Sequence, residues 1–250
     1  MKPIGKRRRL PTIKEIAKEW DKVCFERDRQ ITDHSDISYH YVTTPYIIRA
    51  LKRLNANAAI EIGCGSGRLA QKVLLETSIA HIDAIDISPK SINLARHNVS
   101  NDLSISFKVS SADQIHTNAK YDVCFCNMVF MDDPHYPKTI KRISACLKPF
   151  GYLVFTITHP CFWPYYWKYD HDDGFDYLQE CPISSEFKTS MTSSIGVTTH
   201  IHRPLEYYIN ELTSNNLFIT DFTELRPSGN VSPEYKYRYP RFLGITVQKR

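Results

Sequence analysis

The stretch "AIEIGCGSGRLA", Ala59 to Ala70, decides the fold. The wider run "NAAIEI" (57–62) is apolar and short enough to be a buried strand, and "RLAQKVLLE" after it has helical spacing. Between them stand Gly63, Gly65 and Gly67. Glycines there let the chain turn tightly and approach a ligand closely, and the helix start offers unpaired N–H groups. The dinucleotide fingerprint GxGxxG needs a sixth-position glycine, but Arg68 stands there. The spacing is GxGxG, preceded by an acid, Glu61. A pyrophosphate has little use for a carboxylate on that strand, whereas a ligand with a cationic amino group does.

Two more acids obey the same logic. Asp86 ends the strand "IDAIDI" (82–87) and can accept from the 2′- and 3′-hydroxyls of a ribose. Asp113, in "SSADQI", can accept from an adenine amino group. Singly, each reads equally well as a loop or capping residue. Together, at the ends of three successive strands beside a glycine loop, they describe one crevice.

Around this centre the chain alternates. Strands are expected at 105–110, 121–130 and 151–158, with helices at "SPKSINLARHNVS" (Ser88 as N-cap, Pro89 first) and "YPKTIKRISACLKP", the latter ended by Pro149. Such alternation means an α/β doubly wound, mostly parallel sheet. Helices are also expected from Thr12 to about Cys24, from Pro45 to Leu54 and over 203–216, and final strands at 217–225 and 242–249. Residues 159–202 show no clear period. The whole reads as a single domain, 1–250. It divides into a helical N-terminal arm (1–55), a core carrying the glycine loop and the acids (56–158), an aromatic insertion (159–202) and a last helix with strands (203–250).

The set "AIEIGCGSGRLA…IDAIDIS…SSADQI…YDVCFCNMVF…RISACLKPFGYLVFTI" resembles the class I methyltransferases that use S-adenosylmethionine. The likeness is strong over 57–158 and weaker to the C-terminus. It implies a Rossmann-like sheet of seven strands in the order 3-2-1-4-5-7-6, the last antiparallel. It implies that Glu61 with the backbone of Gly63 and Gly65 holds the methionine end, with Cys64 and Gly67 completing the loop. Asp86 would hold the ribose and Ile87 pack on adenine, while Ala112, Asp113 and Gln114 line the adenine edge. Asn127, Met128 and Val129 would close the site beside the sulfonium. "SYHYVTTP" is similar to a segment covering the cofactor in related enzymes, which makes Tyr39 and Tyr41 candidates.

The acceptor is read from the segments after the fourth and fifth strands. "NMVF" (127–130) lacks the Asn-Pro-Pro-Tyr of nucleobase amino methyltransferases, and no RNA-binding module is visible. A small molecule is favoured, methylated on O or N. The alternatives are a tRNA, rRNA or protein acceptor, and a non-catalytic cofactor-binding module. Glu61 and Arg68 oppose a nicotinamide oxidoreductase. "THPCFWPYYWKYD" (158–170) is plain core, a protein-binding patch or a substrate wall; the last places Phe162, Trp163, Tyr166 and Trp167 against the acceptor. "ITHPCF" also resembles a segment of uncharacterised small-molecule methyltransferases with a His-Pro-Cys-Phe run. His159 is the candidate general base, or else a ring bonded to loop backbone. His200 and His202 are read as pocket residues, and Glu224 with the tyrosines of "PEYKYRYPRF" as the far wall.

Composition adds limits. Residues 1–30 hold ten Lys/Arg against five Asp/Glu, and the remaining 22 of each sign cancel. "KRRR" (6–9) reads as a solvated terminus, with RNA contact through this basic arm as the alternative. No apolar run nears the ~20 residues of a membrane span, and no secretory signal is apparent. Seven irregularly spaced cysteines, Cys124 and Cys126 among them, suggest reduced, buried thiols in a cytoplasmic protein, without a metal site.

Overall fold

The computed structural model describes residues 5–6, 9–188, 196–229 and 238–250, with only the backbone at 5–6. In chain order the elements are β1 (Gly5–Lys6), α1 (Ile13–Thr32), α2 (Thr44–Lys52), β2 (Ala58–Ile62), α3 (Arg68–Glu76), β3 (His81–Asp86), α4 (Pro89–Asn98) and β4 (Ile105–Val109). Then come β5 (Tyr121–Asn127), α5 (Tyr136–Cys146), β6 (Leu147–Thr158), α6 (Trp163–Trp167), β7 (Cys181–Glu186), β8 (Val197–His202), α7 (Leu205–Ser214), β9 (Leu217–Leu225) and β10 (Phe242–Lys249).

Seven strands form one sheet in the order β4-β3-β2-β5-β6-β10-β9. The pairs from β4 to β6 are parallel, and β10 runs antiparallel to both neighbours. This is the expected order. Apolar clusters cover both faces of the sheet, one around Cys124, Phe130 and Phe155, the other around Ile47, Val73 and Phe125. Cys124 and Cys126 are fully buried there as free thiols. Burial on both faces is why β2 and β5 read as continuous apolar runs rather than alternating ones.

The helix starts are set by their caps. Ser88 Oγ accepts from Ser91 N at 3.0 Å and Pro89 opens α4. Thr12 and Glu15 form a reciprocal capping box on α1. That helix runs eight residues beyond the expected end at Cys24, and Asp21 near its middle and Asp28 in its second half tie it down. Asp21 accepts from Ser88 Oγ at 2.5 Å and Lys90 N at 3.1 Å, and Asp28 takes Arg68 at 2.9 and 3.1 Å. Another boundary differs: α5 stops at Cys146 and Pro149 lies within β6, so the chain leaves the helix before the proline.

The region 159–202 is more ordered than its sequence suggests. β7 and β8 form an antiparallel hairpin, and β1 pairs with β7, Gly5 opposite Ser184 and Lys6 opposite Ile183. The basic terminus is therefore not frayed at Gly5–Lys6, where backbone pairing holds it. Arg7 and Arg8 lie outside the described residues. β8 hides from pattern reading because Thr198 through His202 are all buried, so polar and apolar positions do not alternate in exposure. Among the described residues no helix is long and apolar enough to cross a membrane.

Candidate active site

A cavity of about 580 Å³ opens at the C-terminal ends of β2, β3 and β5. Its floor is the glycine loop. Gly63 N and Cys64 N donate to Ile85 O at 2.8 and 3.0 Å, pinning the loop to β3. Gly63 has φ +67° and a Cβ there would stand 2.5 Å from Val129 Cγ2, so glycine is required. Gly65 has φ +53° with open space beside it, facing the cavity.

Two acids complete this end. Asp86 is buried; one carboxylate oxygen accepts from Gly65 N and the other from Ser88 N, each at 2.8 Å. A carboxylate has about four lone-pair positions, so room is left for two hydroxyl donors. Burial raises its pKa to about 6 despite these bonds. Glu61 is 1% exposed, and its Oε2 has no hydrogen-bond partner. Burial, then the charge of Asp86, raises its pKa to about 8. An orphaned, buried carboxylate on a cavity wall is costly unless a cation completes it. These residues fit a ligand with an ammonium group and a ribose.

Most of the expected cofactor residues line the cavity: Tyr39, Glu61, Gly63, Cys64 and Gly65, then Asp86, Ile87 and Ala112, and on the far side Asn127, Met128 and Val129. Met128 holds a left-handed φ of 62°, and its N–H donates to Thr156 O at 3.0 Å. Others lie elsewhere. Gly67 opens α3, and a Cβ there would meet Phe107, Val99 and Ala95, so its role is close packing. Tyr41 is exposed on the outer side of its turn. Asp113 is held by Lys138 Nζ and His135 Nδ1, each at 3.0 Å, and Gln114 is exposed. Burial opposes ionisation of Asp113, but bonds from Ser111, Lys138 and His135 bring its pKa down to about 2.

The aromatic stretch divides too. Trp163, Tyr166 and Trp167, on α6, line the cavity with His200 of β8. Phe162 does not; it stacks on Tyr239 at 5.1 Å and packs on His159 at 4.6 Å. His159 is buried outside the cavity. Its Nδ1 accepts from Cys161 N at 3.2 Å, and Nε2 lies 3.3 Å from Glu224. Both ring nitrogens thus hold the loop, and a base must reach the proton it takes. Burial lowers its pKa against the pull of Glu224. His202 is likewise occupied, by Tyr169 Oη at 3.2 Å and Tyr177 O at 2.9 Å. Glu224 lies on the far side of His159 and does not line the cavity; Tyr235 and Tyr237 lie outside the described residues.

Sequence reasoning expected the N-terminal arm as a cover but named only Tyr39 and Tyr41 in it, not the residues of α1. Ile13, Ile16, Trp20, Cys24 and Arg27 of α1 line the cavity. The apolar face Ile13–Ile16–Trp20 was the available signal. Asp132, in the loop after β5, also lines it. Burial and the charge of Glu19 raise its pKa well above the carboxylate range, against a bond from Trp20.

A family model described as a methyltransferase domain matches residues 55–197. A malonyl-[acyl-carrier protein] O-methyltransferase of Halalkalibacterium halodurans is 29% identical over 169 residues, 60% of this chain and 60% of that protein. The chain thus spans about three fifths of that relative's length. Among solved structures, an S-adenosylmethionine-dependent methyltransferase from Mesorhizobium loti has a TM-score of 0.62 at 19% identity, covering 81% of this chain and 96% of that one. The Burkholderia thailandensis 1,6-didemethyltoxoflavin-N1-methyltransferase, with 1,6-didemethyltoxoflavin and S-adenosylhomocysteine bound, has a TM-score of 0.60 at 16% identity, covering 99% and 93%. At these identities the structural likenesses bear on the fold alone.

Proposed function

This chain belongs to the methyltransferase domain family, and we propose that it transfers the methyl group of S-adenosylmethionine to a small-molecule acceptor. The observation that carries this reading is one continuous cavity. It joins an orphaned carboxylate and a ribose-type acid at one end to tryptophans and a histidine at the other. The relative named as a malonyl-[acyl-carrier protein] O-methyltransferase supports the methyl-transfer reading.

When bound, the cofactor supplies an activated sulfonium methyl group. Glu61 would take its ammonium, and the free lone pairs of Asp86 its ribose hydroxyls. Gly63 and Gly65 let the backbone come close, with Ile87 and Ala112 offering apolar contact. Met128 and Val129 wall the passage toward the acceptor end. There Trp20, Trp163 and Trp167 exclude water and hold a flat acceptor. The chain's contribution is alignment more than chemistry, as suits an activated donor. In this reading the arm's described part acts as the cover, α1 lying along the cavity.

The test is calorimetric titration of S-adenosylmethionine into wild type and Asp86→Ala. Wild type binds, and the variant loses at least tenfold in affinity. Equal affinities would remove Asp86, and with it this placement of the cofactor.

A further inference from the structure

At the acceptor end His200 is left without a hydrogen-bond partner among the described residues, as is Trp163 Nε1. His200 is 6% exposed and lines the cavity. Among the described residues its imidazole makes no hydrogen bond, while both nitrogens of His159 and of His202 are taken. Its neighbours are rings: Trp167 at 5.5 Å edge-on, Trp163 at 6.3 Å and Tyr169 at 6.5 Å. A buried polar side chain without a partner, facing a cavity, calls for a ligand group that completes it.

Burial favours the neutral ring, and the charges of His202 and Arg203 act the same way. The other charged groups around this chamber are Asp132 and Asp133 after β5, Lys188 after β7 and Arg241 before β10, with Glu19 bonded to Thr199 beside it. Lys188 is paired with Glu186. Arg203 is paired with Glu180 and two backbone carbonyls. A neutral imidazole among indoles is a hydrogen-bond acceptor and a proton acceptor in an apolar setting.

Building on the methyl-transfer reading above, we propose that His200 is a catalytic residue that takes the proton of a hydroxyl carried on a planar ring. That ring lies against Trp163 and Trp167. The acceptor's O–H bond breaks, its proton passing to a His200 ring nitrogen. An oxygen lone pair forms the bond to the methyl carbon, and the electron pair of the broken carbon–sulfur bond stays on sulfur, leaving a neutral thioether. The imidazolium then returns its proton to water. A hydroxyl, unlike an amine, needs this base.

The probes are 2-naphthol and 2-methoxynaphthalene, with wild type, His200→Gln and His200→Leu. S-adenosylhomocysteine affinity is measured first by calorimetry and is expected to agree within twofold in all three. Wild type failing this step would sink the methyl-transfer reading itself, not the role of His200. In equilibrium dialysis wild type prefers 2-naphthol over its methyl ether by about threefold to tenfold, the worth of one hydrogen bond. His200→Leu loses the preference. His200→Gln retains it, because an amide oxygen still accepts. Single-turnover transfer of labelled methyl to 2-naphthol falls at least about a hundredfold in both variants, since glutamine cannot take the proton. Equal binding of the two ligands by wild type, no transfer to 2-naphthol, or transfer by His200→Gln within threefold of wild type overturns the proposal.

Discussion

Cofactor binding should expel a proton, and Glu61 sets how much. Its pKa of about 8 in the ligand-free protein leaves it about nine-tenths protonated at pH 7. A ligand ammonium at Oε2 requires the carboxylate. The ligand's own amino group, the α-amino group of a free amino acid beside its carboxylate, is already protonated at pH 7 and takes up almost no proton. The net release is therefore ~0.9 proton per site at pH 7. Forcing the ionisation costs ~1.4 kcal/mol of binding energy there, so affinity rises toward pH 8 and falls again as the ligand amine deprotonates. The assay is calorimetry of S-adenosylhomocysteine at pH 7 in phosphate, HEPES and Tris. The slope of observed enthalpy against buffer ionisation enthalpy reads the proton count directly. Glu61→Gln should bring the slope close to zero and weaken binding. A wild-type enthalpy independent of buffer would refute the pairing of Glu61 with the ammonium.

The same carboxyl governs stability without ligand. Its folded pKa lies above its unfolded one, so its contribution is fully present below about pH 4.5 and lost as pH rises through 8. Glu61→Gln should therefore be more stable than wild type at pH 7, on the order of 3 kcal/mol, with the gap closing near pH 4.5 in urea titrations. Gly63→Ala combines left-handed strain with a clash on Val129 and should lose at least about 2 kcal/mol, read from the same midpoints. Gly65→Ala has open space and should lose only ~1 kcal/mol, yet weaken cofactor binding because its methyl enters the cavity. Arg203 is fully buried, bound to Glu180 and to the carbonyls of Phe130 and Asp133. Arg203→Met should cost ~3–5 kcal/mol by leaving Glu180 and both carbonyls unpaired.

The sheet was legible because its signals are local. Glycines at 63, 65 and 67 mark one turn and strand-helix alternation marks a parallel sheet, while the strand order came from the resemblance to class I methyltransferases. That Glu61 and Asp86 would line the cavity was legible because a strand's end fixes where its last side chains can reach. The fate of Asp113 was not, because His135 and Lys138 arrive from 22 and 25 residues away and hold its carboxylate. His159 failed for a similar reason. The strand places it at the right end of the sheet, but Cys161 N and Glu224 decide which way the ring turns. The hairpin of β7 and β8 was hidden by burial on both faces, so its polar residues read as loop. His200 and His202 were both picked out as pocket residues, yet His200 lines the cavity whereas His202, two positions on, is bonded to Tyr169 and Tyr177 away from it.

The most direct measurement is the fate of labelled methyl from S-adenosylmethionine incubated with the protein and a whole-cell extract, fractionated into small molecules, RNA and protein. Label in the small-molecule fraction, dependent on Asp86, is the predicted result. Label confined to RNA or protein, and abolished by removing residues 1–11, would contradict it.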